Sequence, residues 1–279
     1  PIKTEKNLTL YQNKNATALA FLTNKVYKDV KFNNLTLDNQ TKFLNQLSGL
    51  NYKYFQKIYP INSHNIIENN DHITVNVDKE NNESFASMTY TLDVPENSQV
   101  YVSLPNMHFS NDDQTVVDIS IGNETRRFTT NNVFTFFNLG HFMDKQTVTV
   151  RFTFPDNSQV SFDKPEFYKV NINHFQEAID KIHSQKVEVT TKNSQITVDY
   201  HAQKDSSLFL TLPYDKGWSA TQNGHPVTIY KAQDGFMKVD VKKGSGRVIL
   251  KFIPRGFKEG IGCFIFGIAL FTLYNYKKR

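Results

Sequence analysis

The sequence predicts a mainly β protein with two β-sandwich domains of jelly-roll-like type in series. An amphipathic helix joins the sandwiches, a small mixed α/β segment leads into them, and one transmembrane helix follows them. Three observations predict this arrangement. Apolar residues alternate with polar residues at period two over much of 73–154 and again over 195–254. One stretch between these regions has helical periodicity, and an apolar run precedes a basic C-terminus.

The predicted boundaries follow these changes of pattern along the chain. They are 1–58 for the lead-in segment, 59–170 for the first sandwich, 171–185 for the connecting helix, 186–256 for the second sandwich, and 257–279 for the transmembrane helix with its basic cytoplasmic end.

The lead-in segment combines short strands with one helix. Strands are predicted at Leu8–Tyr11 and Leu19–Val26. Asp38 is expected to cap a helix that ends at Gly49, because Gly favours the left-handed conformation found at helix C-termini. The apolar positions that fall on one face of this helix are Phe43, Leu44 and Leu47.

The first sandwich is predicted from alternating strands at 73–77, 88–94, 100–104, 117–121 and 148–154, with a turn at Gly122-Asn123. The connecting helix is expected to begin at Asn173, with Gln176 at the reciprocal capping position. Its buried stripe is predicted to consist of Phe175, Ala178, Ile179 and Ile182.

The second sandwich repeats the first in outline, which raises the hypothesis of an internal duplication. Residues 196–199 are similar to 73–76, and 208–213 to 100–105. Asn223-Gly224 takes the place of Gly122-Asn123, and 247–254 is similar to 147–155. Chance matches between period-two strands are an open alternative.

The stretch Gly260–Tyr276 is predicted to cross a membrane. Its 17 residues would extend about 25 Å as a helix, a little less than a hydrocarbon core of about 30 Å. Lys277, Lys278 and Arg279 follow it, whereas only Arg255 and Lys258 stand just before it. Because basic residues favour the cytoplasmic side, we expect a cytoplasmic C-terminus in the cell membrane and an extracytoplasmic location for the bulk of the chain.

The partners expected for this helix are the lipid bilayer and other transmembrane helices of the same protein. Its apolar content makes insertion only moderately favourable, and Cys263 and Gly267 lie four residues apart, a spacing that suits helix–helix packing. Residues 1–14 are polar and lack a signal-peptide core, so we expect an upstream membrane part. A single self-sufficient anchor is the alternative.

Composition and motifs exclude several classes of function. The formal net charge is +5, but without the three terminal basic residues 29 basic and 27 acidic residues remain, and no basic stripe with interleaved aromatics predicts nucleic-acid binding. The sequence has no zinc-protease pattern, phosphate-binding glycine loop or nucleophile elbow. Asp112-Asp113 is interpreted as a solvated turn. We therefore predict no catalytic, metal-binding or cofactor-binding residue.

The segment Leu212–Trp218 is the one dense motif. Pro213 and Gly217 favour a bend before Trp218, the single tryptophan of the chain. One interpretation buries Trp218 at the centre of a sandwich core. The other makes it an exposed platform for a sugar ring. The carbohydrate-binding residues would then be Tyr214, Asp215, Lys216 and Trp218.

At these residues the sequence resembles the YfhO family of bacterial multi-pass membrane proteins. The features that carry the resemblance are Leu212–Trp218, Asn223–Val227, Gly235–Met237, Val241–Gly244 and Phe252–Gly260. Weaker resemblance extends over 10–24 and 39–49. The resemblance implies a polytopic glycosyltransferase that uses polyprenyl-phosphate sugars to decorate teichoic acid in Gram-positive bacteria. The acidic catalytic residue of such enzymes belongs to a membrane region absent from these residues, so no catalytic position is carried over.

The resemblance therefore implies the extracytoplasmic accessory region of a membrane glycosyltransferase, inactive alone, with teichoic acid or a related envelope polymer as a partner. A non-catalytic, membrane-anchored surface module that binds glycan or anionic polymer is the alternative. A purely structural role for the sandwiches is the third hypothesis.

Overall fold

The computed structural model describes residues 2–6, 8–33, 35–110, 114–131, 135–185, 187–192 and 194–278. The predicted Asp112-Asp113 turn lies outside these residues. The described residues are mainly β-strand and form sandwiches, which confirms the predicted fold class. They divide into two compact units, one of Tyr52–Phe175 and one of Pro1–Asn51 together with Gln176–Arg279. These are called the inner unit and the outer unit.

The outer unit contributes the first and last strands in chain order. Its early strands are β1 (Lys3–Glu5), β2 (Leu8–Leu10) and β3 (Ala20–Leu22). The inner unit supplies β4 (Phe55–Ile58), β5 (Pro60–His64), β6 (Ile67–Asn69), β7 (His72–Asn76), β8 (Ala86–Val94), β9 (Ser98–Ser103), β10 (His108–Phe109), β11 (Gln114–Ile121), β12 (Glu124–Asn131), β13 (Phe136–Phe142), β14 (Gln146–Phe154), β15 (Gln159–Asp163) and β16 (Glu166–Asn171). The later outer strands are β17 (Glu188–Lys192), β18 (Gln195–Ala202), β19 (Ser206–Leu210), β20 (Trp218–Gln222), β21 (His225–Val227), β22 (Tyr230–Ala232), β23 (Phe236–Val241) and β24 (Gly244–Phe252).

The inner unit has three antiparallel sheets around one core. Their strand orders are β12-β11-β14-β8-β5, β13-β9-β16-β4 and β10-β15-β7-β6. Period-two alternation directs one face of each sheet inward, so Val150, Val102 and Phe162, one from each sheet, are all fully buried in the shared core. Continuous burial of apolar area is the main stabilising contribution here.

The outer unit has a sandwich of two sheets, with strand orders β17-β18-β24-β20-β21 and β22-β23-β19-β3. Alternate residues of β3 and β19 face opposite sides of their sheet and belong to two different cores. Leu22 and Leu208 face the sandwich core, while Phe21 and Phe209 lie in a second, aromatic cluster. This second cluster includes residues of the two helices that precede the apolar C-terminal helix, namely Phe43, Leu44, Leu47 and Ile182.

Residues 1–51 therefore do not stand apart as the sequence pattern suggested. β3 is hydrogen-bonded to β19 with Leu208 opposite Leu22, and the unit boundary after Asn51 lies before the predicted boundary at residue 58. Period-two patterning predicts a short strand at Ala20–Leu22 but carries no information about its partner, which lies more than 180 residues away in sequence.

The two sandwiches share a topology, which supports the internal duplication. The order β5-β8-β14-β11-β12 in the inner unit corresponds to β17-β18-β24-β20-β21 in the outer unit, and β13-β9-β16 corresponds to β23-β19-β3. Three of the four predicted equivalences, β9 with β19, the β11–β12 hairpin with β20–β21, and β14 with β24, follow this correspondence. The fourth was wrong. β18 corresponds to β8, whereas residues 73–76 lie in β7 of an additional sheet.

Both soluble helices begin differently from the prediction. Helix α1 (Thr36–Ser48) has Leu35 at its N-cap without a side-chain cap, and Asp38 lies in the first turn, where it pairs with Lys42 at 2.6 Å. A carboxylate in the first turn is stabilised by the positive end of the helix dipole. Gly49 ends this helix in the left-handed conformation, as expected.

Helix α2 (Ile172–His183) begins one residue earlier than predicted. The Asn171 side chain, and not Asn173, accepts the hydrogen bond from the His174 N–H at 3.1 Å. Gln176 instead donates to Asp180. The buried stripe contains three of the four predicted residues, Ala178, Ile179 and Ile182, whereas Phe175 is only half-buried.

Helix α3 (Phe257–Lys277) continues from β24 after four residues. It begins at the predicted boundary, residue 257, and therefore before the predicted span Gly260–Tyr276. Its 21 residues extend about 31 Å, which is long enough to cross a hydrocarbon core. None of its residues is buried, and its composition is apolar enough for a membrane span. Exposed apolar side chains all around a helix are stable in lipid or against other helices, and not in water.

The loop 23–33 is fastened to the outer unit by the buried side chain of Gln233. The Tyr27 hydroxyl donates to Gln233 Oε1 at 2.5 Å, and the Val30 backbone exchanges two hydrogen bonds of 2.9 Å with the same amide. Burial, and secondly the Asp29 carboxylate, raise the pKa of Tyr27 above its usual range, so the hydroxyl remains a donor.

We expect Gln233→Ala to lower the free energy of unfolding of the outer unit by about 2–4 kcal/mol, because it leaves the buried Tyr27 hydroxyl and Val30 backbone without partners. Urea unfolding followed by Trp218 fluorescence measures this, since the single tryptophan lies in the same unit. The exposed Gln203→Ala variant is the control and should stay within about 0.5 kcal/mol. Equal stability of the two variants would contradict the role of Gln233.

Candidate functional site

The predicted carbohydrate-binding residues lie together in the loop that enters β20. Trp218 is the first residue of this strand and lies opposite Phe252 of β24, with the two ring centroids 5.0 Å apart. Phe252 is 40% exposed, and four residues separate β24 from helix α3. The loop therefore lies at the end of the outer sandwich from which the apolar helix leaves.

Backbone hydrogen bonds hold this loop in one conformation. Asp215 Oδ1 accepts from the Gly217 N–H at 2.6 Å, and the Ile253 N–H donates to the Gly217 carbonyl at 3.0 Å. The Tyr214 N–H donates to the Gly235 carbonyl at 2.8 Å. The Asp215 carboxylate thus stabilises a tight turn, an ordinary use of aspartate in loops. Lys216 is exposed at the tip of this turn.

The position of Trp218 matches neither predicted interpretation, burial at the centre of the core or full exposure as a platform for a sugar ring. It is half-buried and packs at the edge of the sandwich core, whose fully buried centre includes Val198, Leu208 and Leu250. One part of the indole therefore contributes to packing while another part meets solvent. Such partial burial is common for tryptophan, which combines a large apolar body with one polar N–H.

A second candidate site, which sequence reasoning missed, lies wholly within the inner unit. It is a cleft of about 810 Å³ lined by residues of β4–β8 and β16 and by the turn between β15 and β16. We call it the Tyr59 cleft. Strands β4, β5 and β6 are each at the edge of a different sheet, and these three edges meet there.

The lip of the Tyr59 cleft is the segment Tyr59–Ser63. Tyr59 alone connects β4 to β5, and the residue is 76% exposed. Pro60 cannot donate a ladder hydrogen bond and occurs here in an edge strand, as expected for proline. The register then shifts between Pro60 and Asn62, which is a β-bulge at Ile61. Bulges redirect side chains at sheet edges, and Ile61 is 60% exposed.

Charged groups on the cleft wall are largely paired with one another. Lys164 Nζ lies 2.7 Å from Glu68, and Lys57 forms an ion pair with Glu166. The Tyr168 hydroxyl also donates to Glu166. Burial alone raises the pKa of Glu166, but the hydrogen bonds from Lys57 and Tyr168 outweigh it, so the pKa lies below its usual range. Glu166 is therefore a carboxylate at neutral pH.

Tyr90 lines the Tyr59 cleft from within the core. Only 3% of the residue is exposed, and among the residues that the structure describes its hydroxyl oxygen is the one buried side-chain polar atom without a hydrogen-bond partner. An unpaired buried hydroxyl costs about 1–3 kcal/mol. Burial, and secondly the Glu68 carboxylate, raise the pKa of Tyr90 above its usual range. The hydroxyl thus stays protonated and can donate.

The described part of the chain contains no candidate metal site, at the Trp218 loop or elsewhere. No group of three or more His, Cys, Asp or Glu residues there is arranged to hold a metal ion. The one sequence signal for the Tyr59 cleft is Tyr59-Pro60-Ile61, an apolar run broken by proline. The other lining residues are spread over more than 100 positions, and only the fold brings them together.

The fold and these sites define a class of protein: a mainly β chain with two β-sandwiches of similar strand order and an apolar C-terminal helix long enough to cross a membrane. The family model described as bacterial membrane protein YfhO matches residues 1–264. The chain belongs to this YfhO family.

Individual proteins that match this chain share only limited sequence identity with it. The uncharacterized protein YfhO of Bacillus subtilis (strain 168) is 26% identical over 142 residues, a match that covers 47% of this chain and 16% of that protein. Among solved structures, a Paenibacillus cycloisomaltooligosaccharide glucanotransferase is similar at 6% identity and a TM-score of 0.28, covering 70% of this chain and 45% of the other. The mycobacterial arabinofuranosyltransferase AftD has 9% identity and a TM-score of 0.23, covering 71% and 25%. Similarity at these TM-scores carries no argument about function.

We expect Gly217→Ala to destabilise the Trp218 loop by about 2–3 kcal/mol. An added Cβ would lie 2.4 Å from the Ile253 carbonyl oxygen and 2.8 Å from the Phe252 ring. Gly235→Ala is the matched control, because a Cβ there meets nothing within 4 Å. Urea unfolding and the emission maximum of Trp218 measure the effect. A Gly217→Ala protein as stable as the control would contradict this account of the loop.

The inner unit should lose part of its stability in acid through Glu166. Because the folded pKa of Glu166 is depressed, its stabilising contribution is present above the unfolded value of about 4.3 and is lost as the pH falls through the lower folded value. Thermal unfolding measured between about pH 6 and 3 should therefore depend less steeply on pH in Glu166→Gln than in the parent chain. The exposed Gln203→Ala variant, which removes no titratable group, should keep the parental slope, and identical slopes in all three would contradict the assignment.

Proposed function

We propose that this chain is the extracytoplasmic accessory region of a YfhO-type membrane glycosyltransferase. The transferase would use a polyprenyl-phosphate sugar to glycosylate teichoic acid or a related envelope polymer. The observation that carries the proposal is the family match over residues 1–264 of a chain whose last sandwich strand leads directly into an apolar helix. The match to the Bacillus subtilis relative covers 16% of that protein, so the catalytic part is proposed to lie in other segments.

The role proposed for the sandwiches is to hold the acceptor polymer near the membrane face. Strand β24 and helix α3 are separated by residues 253–256, so the sandwich cannot move far from the bilayer once α3 is inserted. Binding energy from parts of an acceptor distant from the reacting atoms can be used to position it for reaction. A tethered module that binds the polymer provides this effect through a high effective concentration.

The sidedness proposed for this arrangement places the sandwiches outside the cell. Lys277 and Lys278 end α3, and the basic end of a span favours the cytoplasm. An extracytoplasmic position would place the sandwiches on the side where wall polymers are found. Teichoic acid and the upstream transmembrane helices are accordingly proposed as partners.

Deletion of the full-length gene should remove sugar from the teichoic acid of the host, and the intact gene should restore it. Composition analysis of purified wall and lipoteichoic acids measures this. A gene whose product carries Gly235→Ala, a substitution that the structure tolerates, should restore glycosylation as well as the parent does. Unchanged glycosylation in the deletion strain would overturn the transferase proposal.

The sidedness is tested separately with the single cysteine. In a Cys263→Ser background, a membrane-impermeant maleimide should label Gln203→Cys in intact cells and Lys278→Cys only after lysis. The reverse pattern would place the sandwiches in the cytoplasm and exclude an action on surface polymers.

A second candidate function is a non-catalytic surface module in which Tyr214, Asp215, Lys216 and Trp218 bind glycan. The half-buried position of Trp218 at the sandwich end favours it, because part of the indole faces solvent. Two results together would support this function over the first. The deletion strain would show normal teichoic-acid glycosylation, and the membrane-anchored chain would retain glycan.

A further inference from the structure

The Tyr59 cleft combines an exposed aromatic ring with polar side chains on the same lip. Tyr59 and Ile61 are 76% and 60% exposed, and Asn62 and Ser63 follow on the same edge strand. The register shift in β5 and the one-residue connection at Tyr59 restrict the backbone conformation of this lip. A rigid apolar surface beside a few polar groups is the usual composition of a small-molecule site.

Charge on the cleft wall selects against anionic ligands. Four carboxylates, of Glu68, Asp71, Asp163 and Glu166, line the cleft together with the ammonium groups of Lys57 and Lys164. Both lysines are already paired with glutamates, so the wall is net negative and rich in hydrogen-bond acceptors. Such a wall repels phosphate and suits a ligand that carries many hydroxyl donors.

Tyr90 supplies an independent observation that points to a ligand. Its buried hydroxyl has no partner within the described residues, although nearly all buried polar groups in folded proteins are hydrogen-bonded. Tyr90 is one of the lining residues of the Tyr59 cleft, so a small movement of the side chains around its buried oxygen would let a ligand hydroxyl, or a water held by the ligand, complete the missing hydrogen bond. The volume of about 810 Å³ lies in the range of ligand-binding pockets, about 300–1,000 Å³.

We propose that the Tyr59 cleft is a binding site for an uncharged carbohydrate. One face of a sugar ring stacks on Tyr59, its hydroxyls donate to the carboxylates of the wall, and one sugar oxygen accepts the hydrogen bond of the Tyr90 hydroxyl. This site is distinct from the Trp218 loop, which belongs to the outer unit. The proposal concerns binding alone and does not require that the full-length protein transfers sugar.

The test uses the full 279-residue chain in detergent micelles and isothermal titration with uncharged mono- to tetrasaccharides of glucose, galactose, mannose and N-acetylglucosamine. At least one of these sugars should bind saturably. Tyr59→Ala should weaken its binding at least about tenfold through the lost apolar contact. Tyr11→Ala is the matched control, because this tyrosine is 71% exposed and lies in the outer unit, and it should leave the affinity unchanged.

Tyr90→Phe distinguishes a ligand-binding role from a structural one. It keeps the ring and removes only the unpaired hydroxyl, so sugar binding should weaken about fivefold while the Tm of the ligand-free protein rises by about 3 °C. If Tyr90 has only a structural role, Tyr90→Phe would leave the affinity for sugar unchanged, whatever its effect on the Tm.

The proposal would be overturned if no sugar of the panel binds saturably, if binding is unchanged by both Tyr59→Ala and Tyr90→Phe, or if binding is abolished by Trp218→Ala alone. Saturable binding of glycerol phosphate in place of uncharged sugar would also overturn it. Failure here would leave the proposed transferase role intact, because that role is measured by wall glycosylation in cells.

Discussion

The pairing of β3 with β19 is the constraint on which the rest of this structure depends. Hydrogen bonds between Thr23 and Ser207 join positions 184 residues apart and hold β3 at the edge of this sheet of the outer unit. The inner unit, Tyr52–Phe175, is therefore inserted within the sequence of the outer unit. Closing so long a loop has an entropic cost, and the buried apolar contacts of β3 and the hydrogen bonds of Gln233 offset it.

The two sandwiches, which share a strand order, differ in the elements that each adds to it. The outer unit covers one face of its β3–β19 sheet with residues of α1 and α2, which produces a closed aromatic cluster. The inner unit instead adds the sheet β10-β15-β7-β6, and the edges of β4, β5 and β6 meet without a helix among the lining residues of the Tyr59 cleft. The candidate binding surface thus arises from an addition to the common topology, which is a frequent origin of sites on shared folds.

The two candidate sites place aromatic side chains in different physical situations. At Trp218, turn hydrogen bonds and contact with Phe252 fix the indole at a core edge, so packing and surface exposure are combined in one residue. At the Tyr59 cleft these roles are divided. Tyr59 is exposed, whereas Tyr90 is buried and lacks a partner for its hydroxyl. A buried polar group left unpaired reduces stability, and such a cost is typical of positions that serve function.

The sequence by itself determined the fold class, the apolar C-terminal helix and three of the four strand equivalences between the sandwiches, because period-two alternation and apolar runs are local properties that reflect one buried face. It also led to the family through the motifs after Leu212. Only the tertiary structure decided that Ala20–Leu22 belongs to the second sandwich and that Asn171 caps α2. The Tyr59 cleft likewise depends on the tertiary structure, because strand partners and the meeting of three sheet edges are set by contacts between residues far apart in sequence.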